Sequence, residues 1–239
     1  MKSLKLVTTA ILLTIITSGA SAQFLRTVYG DGQVVREQRD IKNFTGVRVS
    51  SGIDVYLRQG DRESVTVEAD ENLHDYIITE VRDGVLQIRT DVTIRKAEQK
   101  KVYITMDEIR SVAATSAGDI TGETLIRSDR LKISVSSAGD IKLDVKADEV
   151  DVNISSSGDV TLSGEARMLE ADLSSAGDLN AINLEVEEAD VSVSSAGDAD
   201  INVTKKLSAR ASSAGNITYR GNPEYVNTHS SSAGGIHRR

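Results

Sequence analysis

The sequence predicts an all-β chain, a parallel β-helix or β-solenoid with coils of about 19 residues, and three observations predict it. The first is a five-residue element, Ser-Ser-Ala-Gly-Asp at 194–198, that returns in near copies along the second half. Its glycines, Gly118, Gly139, Gly158, Gly177, Gly197, Gly215 and Gly234, stand 21, 19, 19, 20, 18 and 19 residues apart. The second is strict alternation around each copy: Leu131, Ile133, Val135 before Gly139, then Ile141, Leu143, Val145 after it. Period two is the mark of an extended strand with one buried face. The third is composition: aromatics are 3% and Trp is absent, so the interior is left to Val, Ile, Leu and Ala. An antiparallel meander would alternate too, but it does not need the same corner at a fixed period, whereas a stack of coils sets like on like.

Taken in order, the chain starts with Lys2 and Lys5, an apolar run from Leu6 through Ile16, and Ala20-Ser21-Ala22. These are the parts of a secretory signal peptide over 1–22, with the mature chain expected from Gln23. The apolar run is short for a membrane span, and no later stretch is apolar enough to serve as one. Residues 23–46 read as a polar lead-in with one edge strand. From Val47 alternation begins, and Ser50-Ser51-Gly52-Ile53-Asp54 looks like a divergent first corner. Residues 47–110 form a less regular β cap, with a helical turn near 71–76 and a hairpin turn at Asp83-Gly84. Regular coils follow over 111–236, and 237–239 is a tail.

At each corner the glycine is expected to supply a positive φ. By parity the second serines, Ser137, Ser156, Ser175, Ser195 and Ser213, fall on the inner face, where a ladder of hydroxyls would bond from coil to coil. The corner acids would stack in a column. Turn amides can satisfy them; calcium shared by Asp140, Asp159, Asp178 and Asp198 is the alternative, and the only metal site the sequence offers.

Charge and chemistry narrow the function. Loss of Lys2 and Lys5 would take the net charge from −8 to −10, which opposes nucleic acid as a partner. Without cysteine there are no disulfides and no thiolate metal ligands. The three histidines, His74, His229 and His237, have no metal-ligand spacing and read as surface or loop residues. No serine has a nucleophile-elbow context, and no glycine-rich corner leads into a phosphate-binding helix. No catalytic residue and no cofactor are expected.

The export signal, Ser50 to Asp54, and the Ser-Ser-Ala-Gly-Asp tail together resemble the putative auto-transporter adhesin family with the head GIN domain, secreted proteins common in Bacteroidetes. The resemblance runs from Val47 to Ile236, with Gly52-Ile53-Asp54 standing where the name has Gly-Ile-Asn. It implies a right-handed β-helix-like fold, an envelope location (periplasm, outer-membrane surface or outside the cell), and an adhesin role toward an unknown surface protein or glycan. A structural envelope scaffold is the alternative. A β-helix polysaccharide lyase or hydrolase is a further one, disfavoured by the scarcity of aromatics and of long loops.

Overall fold

The computed structural model describes residues 26–239, so the expected signal peptide and its cleavage point lie outside the described residues. Coils of about 19 residues stack into a β-solenoid of about seven turns. Five long strands make the regular part: β11 (Asp119–Ser136), β12 (Asp140–Ser155), β13 (Asp159–Ser174), β14 (Asp178–Ser194) and β15 (Asp198–Ser212), preceded by β10 (Ser111–Thr115). Every pairing among them is parallel, with Asp119, Asp140, Asp159, Asp178 and Asp198 opposite one another in turn. Each long strand covers two faces. Its first half lies on the acid-bearing face, and its second half, such as Leu131 to Val135, lies on the other. Between the halves the chain rounds a broad bend without leaving the ladder; between strands it turns sharply at Ser-Ala-Gly.

Inward columns such as Leu131, Val150, Leu169, Ala189 and Leu207 are all buried, and they join one continuous aliphatic core. Burying such side chains contributes roughly 1.5–3 kcal/mol each, which is why alternation suffices to specify the faces. Coil length varies only at the broad bend. The register shifts fall between Thr121 and Leu125, Thr161 and Ser163, and Ala181 and Glu188. The sharp corner never absorbs an extra residue.

The cap is built from β1 (Thr27–Tyr29), β2 (Val34–Arg39), β3 (Gly46–Val49), β4 (Asp54–Gln59), β5 (Ser64–Asp70), β6 (Ile77–Arg82), β7 (Val85–Thr90), β8 (Thr93–Arg95) and β9 (Lys100–Met106). One face continues from β10 through β3 and β7 to β6; the other continues from β11 through β4, β9 and β5 to β2. The expected turn at 71–76 is a 3-10 helix, Glu71–Tyr76. The expected hairpin joins β6 and β7, with Asp83 and Gly84 both at positive φ (51° and 73°). At the far end β16 (Asn216–Arg220) and β17 (Tyr225–Ser230) stack on the two halves of β15 as one more coil, and β18 (Gly235–Arg238) stacks on β16 as the start of another.

Two expectations about the corner are corrected. The second serines Ser137, Ser156, Ser175, Ser195 and Ser213 are exposed, so no inner ladder exists. Parity ends one residue early, because these serines take left-handed φ values of 55°, 68°, 72°, 69° and 54° and swing the chain outward. The inner slot passes to the glycine two residues on, which is buried from Gly118 through Gly215 and half-buried at Gly234. None of Gly118, Gly139, Gly158, Gly177, Gly197, Gly215 or Gly234 has a positive φ. They are glycine for lack of room: a Cβ on Gly139 would lie 2.9 Å from the Gly118 carbonyl oxygen, and one on Gly197 2.8 Å from that of Gly177.

Candidate functional site: the corner and its flanking grooves

The divergent corner at Ser50 to Asp54 explains the design of the others. Here Ser51 and Gly52 are the left-handed pair (66° and 62°) and Ile53 occupies the slot that later corners give to glycine. No earlier corner presses on that slot, so Ile53 fills it and is fully buried. Asp54 pairs with Asp119 and starts the acid column. Half-buried Lys100 donates to the Ser51 carbonyl at 3.4 Å; burial lowers its pKa and nearby Asp54 opposes that.

Along the column the acids bond to the next coil. Asp119 Oδ1 accepts from the Asp140 amide and Asp178 Oδ1 from the Asp198 amide, both at 3.2 Å. At the end of the row Asn216 Nδ2 donates to Asp198 Oδ1 at 2.9 Å. Asp140, Asp159, Asp178 and Asp198 thus stand one per coil. Among the described residues no three acids or histidines converge closely enough to hold a metal ion. Burial raises the pKa of Asp159, the charges of Asp140 and Asp178 raise it further, and the Asp178 amide opposes them. Asp119 is raised for the same reasons, burial first, then Asp140 and Asp54. A raised folded-state pKa favours the protonated form, so this contribution is fully present below the unfolded carboxyl range and is lost as pH rises through the folded pKa. Asp159→Asn should therefore melt higher than the parent at about pH 7, with the gap closing by about pH 3. Melting curves across that range check it, and a gap that persists in acid would refute the assignment.

Beside the sharp corner runs a trough of about 700 Å³. Its floor is the outward column Ala113, Ser134, Asn153, Asp172, Ser192, and its wall is the first corner serines: Ser136, Ser155, Ser174, Ser194 and Ser212. These serines point outward as expected, and several are held: Ser136 donates to Thr115 Oγ1 at 3.0 Å, Ser194 to the Leu173 carbonyl at 3.4 Å. Small side chains keep the trough open. Arg48 borders one end, and Arg210 and His229 the other. Sequence reading missed both arginines, whose place emerges only from the register.

A second groove, of about 1010 Å³, follows the broad bend. It is lined by charges that neutralise one another across coils: Lys146 meets Glu165 at 3.0 Å and Arg130 meets Glu149 at 2.9 Å. Exposed pairs of this kind contribute little to stability, and acids and bases stand in equal number along the lining, so the groove carries no net sign of charge.

His74 lies in the cap, whereas His229 and His237 lie at the far end, on β17 and β18. His74, expected at the surface, is instead buried beneath β2. Its Nε2 lies 3.3 Å from the Val35 and Ala69 carbonyls and its Nδ1 3.2 Å from Glu37. Its ring nitrogens thus face two carbonyls and a carboxylate. Asp70 is a further buried polar residue that sequence reading missed. Its carboxylate accepts the amides of Gly32 and Glu98 at 2.9 Å and of Gln99 at 3.1 Å, tying the lead-in to the cap.

The fold recurs in solved structures. A crystal structure of a "putative adhesin" from Bacteroides fragilis superposes with a TM-score of 0.82 at 20% identity, covering 89% of this chain and 100% of that one. A "putative adhesin" from Parabacteroides distasonis gives 0.75 at 23% identity, with the same coverages of 89% and 100%. A "putative lipid binding protein" from the same species gives 0.76 at 19%, covering 90% and 100%. No curated protein sequence matches. Residues 43–223 match the family described as "Putative auto-transporter adhesin, head GIN domain", which spans the first corner, the acid column and all five long strands. The chain belongs to that family.

Proposed function

We propose that this chain is an exported, non-enzymatic interaction module of the cell envelope, a rigid rod with one β-solenoid domain over 47–236 that holds an extended surface partner along the serine-lined trough. The observation that carries this reading is the trough itself, open along several coils and lined by hydroxyl, amide and carboxylate groups at one strand spacing of about 4.8 Å. Such a row offers donors and acceptors to a polymer that also repeats, and the stacked coils hold them rigid, which limits the ordering cost of binding. The family's adhesin label points the same way. Close-packed aliphatic side chains occupy the interior, so a partner meets the outside of the rod.

The test is direct. The chain from Gln23 is applied to a glycan array and to whole cells, beside a variant with Ser155→Glu and Ser174→Glu, which fills the trough and adds charge at exposed sites. Binding that falls at least about tenfold in the variant supports the trough, since bulk and charge there cost more than about 1.4 kcal/mol. Equal binding by both proteins would place the contact elsewhere, and hydrolysis or eliminative cleavage of any glycan would replace the reading with an enzymatic one.

A further inference from the structure

The large apolar side chains that stand exposed are not spread over the rod. Among the described residues they lie at its two ends: Tyr29, Val34, Val35 and Val81 at the cap, Tyr225 and Val226 in the last coil. The same ends carry the free strand edges. At the cap these are β6 on one face and β2 on the other; at the far end β17 continues the face of β6, and β18 continues the face of β2. The far end is also open. Val226 stands in the inner column above Leu207, yet it is 48% exposed, and among the described residues no coil covers it.

Charge separates sides from ends. Residues 137–197, the middle of the rod, hold 14 acids against 3 bases, net −11, so parallel rods repel each other side by side. The outermost cap segments, 26–45 and 71–84, hold 7 acids and 5 bases, net −2. The last coil, 216–239, holds 3 bases and 1 acid, net +2. The two ends are thus opposite in sign, both apolar, and both edged by unpaired strands.

We propose that the partner of each end is the other end of a second copy of this chain, giving head-to-tail association. Strand directions allow it. β6 runs against the coils, so it receives β17 as an antiparallel neighbour; β2 runs with the coils and receives β18 in parallel. Val226 and Tyr225 of one copy then close over Val81 of the next. A head-to-tail contact does not exhaust itself in a dimer: each added copy brings a fresh end, so the product is an open filament.

The experiment uses the chain from Gln23 and two exposed-site variants, Val226→Glu at the far end and Val81→Glu at the cap, whose like charges repel where the two substituted ends would meet. Each variant's melting temperature is compared with the parent's to show that it folds. In sedimentation, the parent's average mass should rise past that of a dimer as concentration goes from about 5 to about 500 µM, and less so in high salt. Each variant alone should stop at small species. An equimolar mixture should form a dimer and go no further, because each variant keeps one competent end. A parent that stays monomeric at the highest concentration overturns the proposal. So does a cap variant that associates as well as the parent, the sign of a tail-to-tail dimer, or a mixture that behaves as its separate parts.

Discussion

Replacing Gly164 by alanine is expected to cost about 2–6 kcal/mol, the sum of a strained backbone and a forced shift of close-packed main chain. Gly164 sits on the broad bend of β13 with φ of 109°, where a side chain is rarely tolerated. Its missing Cβ points at the Val145 carbonyl of the preceding coil, and the Asp144 carboxylate would be 3.0 Å away. The Asp144 carboxylate is an exposed side-chain end that can swing aside, but the Val145 carbonyl is main chain and cannot. For a domain of this size the loss corresponds to a fall in melting temperature on the order of 10 °C. Ser163→Ala, one residue earlier, removes only a bond to Asp144 at 3.2 Å and should stay within about 0.5 kcal/mol of the parent. If both variants melt together, the contact with Val145 is not what makes residue 164 a glycine.

Asp70→Ala should cost about 3–5 kcal/mol. The carboxylate is fully buried and serves three amides that belong to two different loops, those of Gly32, Glu98 and Gln99. Alanine removes the one acceptor that all three donors share and leaves a cavity at a fully buried site. Asp70→Asn keeps an oxygen for some of them but turns an NH2 toward the rest, so its cost should be intermediate. Denaturant titration orders the three proteins, and amide exchange at Gly32 and Glu98 should quicken in Asp70→Ala well before the coils do. A variant within about 0.5 kcal/mol of the parent would show that water or a loop shift replaces the carboxylate.

The repeat was legible because a stack obeys a local rule. Alternation around Val152 or Val191 names the inner face without any knowledge of partners, and the spacing of the glycines names the coil. The serines misled for a local reason as well. Counting parity through Ser136 and Ser137 assumes that extended backbone persists, and the left-handed turn at Ser137 ends it. What remained hidden depends on residues distant in the chain. Asp70 gives no local sign of its role, since its amide partners are about 30 to 40 residues away. The trough is similar: Arg48 and Arg210 are ordinary surface residues until seven strands are laid in register between and beneath them. Gly164 did leave a sign, a glycine that interrupts an alternating run, but only the approach of Val145 gives it meaning.

The unequal coils bear on how such a chain changes over generations. Because every length difference is taken up on the broad bend, that flank can gain or lose residues while the acid-bearing corner opposite keeps its spacing. Whole coils are exchangeable on the same logic. Excising residues 160–178 would join Asp159 to Leu179 and let Asp198 rest where Asp178 had been, shortening the rod by one strand spacing of about 4.8 Å. Length is therefore an adjustable quantity in this architecture, and the serine trough would lengthen or shorten with it, one hydroxyl at a time.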